Sequence, residues 1–264
     1  NVAKKFQGMV KRCADSGFDL AAGLVEVVPT AHYLMGGVVV DVETRTSLAG
    51  LYVAGEDAGG AHGSNRLGGN GVANSTVYGG IAGDVMAADA QKMGALHDPD
   101  ETVLDEEMAR AIIPFSAKPG NVQELRVRLM DAMWDDVGVM RDAAGLKRGI
   151  EKIASLKTDM ENVGVSGDNL AFNLSWHDWL SLQSLIDTSE VIAKAGLSRE
   201  NSRGAHFRED FPDAGSLDDS YFTIATSGDK GIEVSREAVK FTIVKPGESL
   251  LGADEAETLV EAAQ

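Results

Sequence analysis

The stretch from Leu51 to Gly80 constrains the fold of this chain more than any other. It opens Leu51-Tyr52-Val53-Ala54, apolar at consecutive positions, which predicts a short strand buried on both faces. It then breaks into a loop from Gly55 to Gly69 rich in glycine and polar residues. Small residues follow at Gly71, Ala73, Ser75 and Gly79, opening a predicted helix over Asn70 to Met93. A strand feeding a glycine-rich loop into a helix N-terminus suits an anionic cofactor. The first N–H groups of the helix point outward there, and the helix dipole is positive. Three side chains in the loop carry obvious chemistry: Glu56, His62 and Arg66.

The guanidinium of Arg66 offers a planar fork matched to a carboxylate. The glycines around it, at 63, 68, 69 and 71, let a ligand approach the backbone. A surface arginine paired with some acid is the plainer alternative. Glu56, directly after the strand, can accept from ribose or ribityl hydroxyls; Asp57 can do the same, and either can be an ordinary loop charge. His32 lies between Pro29 and the pair Gly36-Gly37, where an imidazole can serve a carboxylate or simply be a satisfied loop histidine. Gly69-x-Gly71-x-x-Asn74 lacks the third glycine of a dinucleotide fingerprint, and no βαβ unit follows it. The histidines at 32, 62, 97, 177 and 206 show no metal-ligand spacing, and there is no Gly-x-Ser-x-Gly elbow. Trp134, Trp176 and Trp179 fall on predicted helices and read as packing residues.

Charge and cysteine content narrow the partners. Asp plus Glu outnumber Lys plus Arg by 41 to 24, a formal charge of −17, which argues against nucleic acid. A local basic site can still hold a small anion. Cys13 is the only cysteine, so the chain has neither an internal disulfide nor its own iron–sulfur cluster, and a reducing compartment is expected. No apolar run approaches the roughly 20 residues of a membrane span, and no signal peptide is recognisable. The chain opens Asn1-Val2-Ala3 without a methionine, and is expected to be a piece of a longer protein.

Residues 1–15 read as helical, with Val2, Phe6, Met9, Val10 and Cys13 on one face. Residues 96–120, with three prolines, read as a connector with one short helix near Glu106. Apolar stripes then recur at spacings of three and four. One runs from Val122 through Leu125, Leu129, Met133 and Val137 to Met140. A second runs from Leu146 to Met160, and a third takes in Leu182, Leu185, Ile186, Ile192 and Ala193. They predict three antiparallel helices. After Pro212 the signal is β: Tyr221–Thr226 and Ile232–Val234 flank a hairpin turn at 227–231, and Lys240–Val244 predicts a third strand. The expected class is α/β plus α. A partial cofactor domain of strands, glycine-rich loop and long helix precedes a three-helix bundle and a small β-rich segment. The expected boundaries are 1–30, 31–95, 96–120, 121–211 and 212–264.

Taken together, the motifs resemble the flavoprotein subunit of the succinate dehydrogenase and fumarate reductase family, with L-aspartate oxidase similar across the same residues. The resemblance rests on His32-Tyr33-x-Met35-Gly36-Gly37, on Gly50-Leu51-Tyr52-x-x-Gly55-Glu56 and on His62-Gly63-Ser64-Asn65-Arg66-Leu67-Gly68. It continues at Met133-Trp134 through Arg141, at Ser202-Arg203-Gly204-Ala205-His206-x-Arg208-Glu209-Asp210-Phe211-Pro212 and at Phe241 to Pro246. It covers nearly the whole chain in the family's order.

The resemblance implies the C-terminal part of a FAD-dependent oxidoreductase that exchanges a hydride with a dicarboxylate. It implies that residues 1–30 end a capping domain. The proton-shuttling arginine, the N-terminal dinucleotide-binding unit and any histidine carrying covalent FAD would lie upstream of residue 1. His32 and Arg66 would hold a substrate carboxylate, Glu56 the ribityl or ribose region, and backbone at Gly69, Asn70, Gly71 and Val72 the flavin ring. The implied electron partner is an iron–sulfur subunit, and the implied location is the cytoplasm or a membrane reached through such partners. Alone, the chain would be inactive and bind FAD weakly. Two departures stand next to the site: Gly69-Asn70-Gly71-Val72-Ala73-Asn74 replaces the family's Gly-Ala-Asn-Ser-Leu-Leu, and Leu34 replaces a polar residue. They leave the particular dicarboxylate open, and an L-aspartate oxidase-like enzyme is the alternative. A folded interaction module without catalysis is the alternative of another class.

Overall fold

Asp and Asn start most of the helices. Asp100 caps α4 (Glu101–Ile112), Asn121 caps α5 (Val122–Asp135), Asp142 caps α6 (Ala143–Glu161) and Asn173 caps α7 (Leu174–Ser198). Each side chain accepts a hydrogen bond from an N–H that the helix itself leaves without a partner. The computed structural model describes residues 2–28, 32–228 and 231–248. It divides into two units, 1–34 and 35–264.

In the first unit α1 (Val2–Lys5) and α2 (Gln7–Asp15) are separated at Phe6. Their shared apolar stripe is largely exposed, with Phe6 at 59%. Pro29, Thr30 and Ala31, which lead into the His32 motif, lie outside the described residues.

In the second unit α3 (Asn70–Met93) has the limits expected from its run of small residues. Helices α5, α6 and α7 pack on one another and supply the core. Leu146, Ile153, Leu156, Leu182, Ile186 and Ala193 are at most 1% exposed. Leu146→Ala is expected to cost about 2–5 kcal/mol, because deleting a fully buried isobutyl group leaves a cavity. Urea unfolding of the intact protein checks it, and a loss below about 1 kcal/mol would mean that the site collapses freely.

Two stripe positions leave the core. α5 stops at Asp135, so Met140 falls out of helical phase and is exposed. The next residue, Asp136, is buried and pairs with Arg148 and Lys152 of α6, and this fixes the stop. Leu185 follows the core face of α7 by one residue's rotation and is partly exposed. Trp176 and Trp179 pack as expected, their indole N–H groups donating to Ala111 and Val163 carbonyls. Trp134 does not: it is 59% exposed.

Strands β1 (Tyr221–Gly228) and β2 (Gly231–Ala238) form an antiparallel hairpin against α7. The turn residues Asp229 and Lys230 lie outside the described residues, as does everything from 249 onward. No third strand forms over Lys240–Val244. The ladder ends where Val239 N–H donates to Ser220 O, and Ile243 is 80% exposed. The run Leu51–Ala54 is likewise not a strand buried on both faces. Its pairing is a single bridge from Tyr52 to Arg45, and Leu51 is 47% exposed. Among the described residues the α/β expectation reduces to a helix-rich chain with one two-stranded sheet.

Candidate functional site

The glycine-rich loop is held by backbone contact. Val38 N–H donates to Asp57 O at 2.7 Å and Gly59 N–H donates to Val38 O at 2.9 Å. Gly37 makes this approach possible, since a Cβ there would lie 2.7 Å from the Asp57 carbonyl carbon. The loop beyond is tied to α3 by Asn74, which is 6% exposed. Its Nδ2 donates to Gly55 O at 3.0 Å and lies 3.1 Å from His62 Nε2. One amide nitrogen carries two N–H groups and can serve both, which makes Nε2 the acceptor and places the imidazole proton on Nδ1. The far end of α3 is fixed by Asp89, whose carboxylate takes the Tyr52 hydroxyl at 2.8 Å and Arg45 Nε at 3.0 Å. Those two donors hold the Asp89 pKa below the usual carboxylate range.

The N-terminus of α3 lacks the side-chain cap that opens α4, α5, α6 and α7. Gly69 precedes it with φ +86, no side chain caps it, and its first turn holds no acid. Ser75 and Thr76 turn their hydroxyls back onto Gly71 O and Val72 O within the helix. Around this end Leu67 and Val72 are 75% and 77% exposed. Arg66 stands one turn before it, half-buried, its backbone N–H on Met35 Sδ at 3.2 Å and its Nη1 near Leu67 O at 3.5 Å. Thus Arg66 and residues 69–72 meet at one helix end, with Glu56 exposed at the start of the same loop. His32 belongs to the first unit, where it is exposed with its ring edge-on to Tyr33 at 6.4 Å.

A second polar cluster lies at the end of the bundle, and its geometry is not evident in the sequence. Arg208 is 1% exposed. Its Nε and Nη2 donate to the two Asp210 oxygens, both at 2.7 Å, and its Nη1 to Gly196, Leu197 and Arg199 carbonyls at the end of α7. Arg141 Nη1 donates to His206 Nδ1 at 2.9 Å, and His206 Nε2 faces Arg199 O. Burial first, and then the nearby Arg141, Arg199 and Arg208, push the His206 pKa down to about 4, so it is neutral at physiological pH. The density of Arg, His and Asp in 199–210 without helical or strand period was the available signal.

Among the described residues no group of His, Cys, Asp and Glu could hold a metal ion, and no helix is long and apolar enough to cross a membrane. An uncapped helix N-terminus beside exposed Leu67 and Val72 fits a flat, partly apolar, electron-rich ring such as a flavin. The N–H groups and the dipole favour its anionic reduced form, and the apolar side chains gain by being covered.

Residues 1–72 match a family model described as an FAD binding domain, and residues 126–250 match the fumarate reductase flavoprotein C-term. The fumarate reductase flavoprotein subunit of Haemophilus influenzae is 30% identical over 87% of this chain and 39% of that protein. L-aspartate oxidase 1 of Ralstonia nicotianae is 34% identical over 80% of this chain and 38% of that protein. Among solved structures, Mycobacterium smegmatis Sdh1 superposes with a TM-score of 0.78 at 31% identity, over 98% of this chain and 44% of that one. The chain therefore spans about two-fifths of the length of the curated relatives it matches. With the cofactor-domain match and the helical C-terminal match in their expected order, the chain belongs to the fumarate reductase and succinate dehydrogenase flavoprotein family.

Proposed function

We propose that this chain forms the C-terminal part of a FAD-dependent oxidoreductase acting on a succinate- or fumarate-type dicarboxylate. The observation that carries the reading is the meeting of Arg66 with the uncapped N-terminus of α3 at the end of one glycine-rich loop. Bound there, FAD supplies the hydride donor and acceptor. The chain's own residues bind and orient. Arg66 grips a substrate carboxylate and so fixes which carbon faces the ring, and His32 is proposed as a carboxylate ligand in its own right. The backbone at Gly69, Asn70, Gly71 and Val72 lies along the ring, and Glu56 accepts from the ribityl or ribose hydroxyls. The finer architecture follows: 1–30 ends a capping domain, 31–95 completes the cofactor domain, 96–120 connects, 121–211 is the bundle and 212–264 a terminal segment. An iron–sulfur subunit is the proposed electron partner.

The match to an L-aspartate oxidase over the same residues favours one alternative, an amino-dicarboxylate substrate oxidised with oxygen. One experiment separates the two. The intact protein, purified yellow, is assayed for fumarate-dependent oxidation of reduced viologen and for aspartate-dependent hydrogen peroxide. Viologen oxidation with fumarate at least tenfold above background supports the first reading. Peroxide from aspartate alone supports the second, and a colourless, inactive protein sinks both.

A further inference from the structure

We propose that the hairpin Arg203–His206, carried by the helical bundle, positions the Arg66 loop for substrate, so that bundle packing sets dicarboxylate affinity. The inference rests on Arg66 as a carboxylate ligand and adds the device that aims it. The hairpin is closed by two backbone bonds, Arg203 N–H to His206 O at 2.9 Å and His206 N–H to Arg203 O at 3.0 Å. Its tip is Gly204-Ala205. Ala205 N–H donates to Ser64 O at 2.9 Å, two residues before Arg66. Gly204 has φ +56, and a Cβ there would stand 2.6 Å from both Ser64 C and Ser64 Oγ. The tip therefore touches the glycine-rich loop backbone to backbone, with no room for a side chain.

A loop with that many glycines has little stiffness of its own, so an external contact decides where it rests. The base of the hairpin supplies rigidity. Arg203 spans Ala214 O, Ser220 Oγ and Ser216 O with its three nitrogens at 2.6–2.8 Å. His206 is clamped between Arg141 and the end of α7, and its neutrality lets three cations surround it without repelling it. The 202–212 segment is thus anchored to the bundle through Arg141, Ala143 and the end of α7 and to residues 214–220 through Arg203, and it reaches the glycine-rich loop at Ser64.

The test is a double-mutant cycle in the intact flavoprotein, read as the Kd of fumarate from its perturbation of the flavin absorbance. Arg66→Ala weakens fumarate by about a hundredfold, as loss of a charge-assisted carboxylate contact would. Gly204→Ala weakens it by about tenfold, the scale of a slight misplacement of a binding group. The flavin content stays stoichiometric. In the Arg66→Ala background Gly204→Ala changes Kd by less than twofold, because the group that it misplaces is gone. A full tenfold loss in that background, or no loss in the wild type, overturns the proposal. An unchanged Kd in Arg66→Ala alone overturns instead the assignment of Arg66. If Gly204→Ala does not accumulate folded, the same cycle with His206→Ala, which frees the base but leaves the tip intact, decides by the same criteria.

Discussion

Arg66→Ala in the intact protein is expected to lower kcat/KM for its dicarboxylate by about 10²–10³-fold, or roughly 3–4 kcal/mol, with flavin content unchanged. The magnitude follows from losing two charge-assisted hydrogen bonds to a carboxylate in a half-enclosed site. Arg66→Lys should recover only a minor part, since an ammonium keeps the charge but loses the planar fork. The backbone of residue 66 is tied to Met35 and the helix begins four residues later, so the substitution removes a side chain and not the loop. Steady-state kinetics and the flavin spectrum of the purified variant check it. Turnover within about threefold of the parent would dismiss Arg66 as a substrate ligand, and an unchanged enzyme would favour a purely structural loop.

Sequence and structure part company where tertiary partners decide. The limits of α3 were legible because Gly69 and Gly94 punctuate a continuous helical run. The core of the bundle was legible because Leu125, Leu129, Leu146, Ile153, Leu156, Leu182 and Ile186 repeat at helical spacing. Periodicity does not announce where a helix stops. Asp136 ends α5 by its buried pairing with Arg148 and Lys152, and Met140 is thereby sent outward. The apolar run Leu51–Ala54 has the composition of a buried strand, but residues 35–54 offer it a single bridge, and Leu51 stays exposed. At the site, residue types and glycines exposed Arg66 and the helix entry. Asn74, Met35 and the Gly204 contact on Ser64 were not legible, since each acts through a neighbour 19 or more residues away.

Arg208→Ala should destabilise the bundle by about 3–5 kcal/mol. Arg208 is 1% exposed and forms a bidentate pair with Asp210. It also closes three carbonyls at the end of α7, while Asp210 accepts the N–H of Ala143, the first residue of α6. Cation and anion therefore sit at the helix ends whose dipoles favour them. Removing the guanidinium leaves a cavity, three carbonyls without their donor and an acid without its partner. Asp210→Asn should cost less, about 1–3 kcal/mol, because Asp210 is 30% exposed and the three carbonyls remain as acceptors for Arg208. The pH response separates the two causes. Hydrogen bonding to Arg208 first pulls the Asp210 pKa from 3.8 to about 2. With the folded value below the unfolded one, the stabilisation is complete above pH 3.8 and is lost as the pH falls toward 2. His206 acts in a higher window. Its folded pKa of about 4 lies below its ordinary 6.5, so the unfolded chain takes the proton first and stability declines as the pH falls from 6.5 to 4. Denaturant midpoints of the intact protein from about pH 7 to about pH 2 should show both declines. Asp210→Asn should shrink the lower one, to which Asp89, Glu107 and Glu190 also contribute, and spare the upper. If the lower decline keeps its full size in that variant, the acid sensitivity lies with the other carboxylates and Arg208 is held by its carbonyls alone.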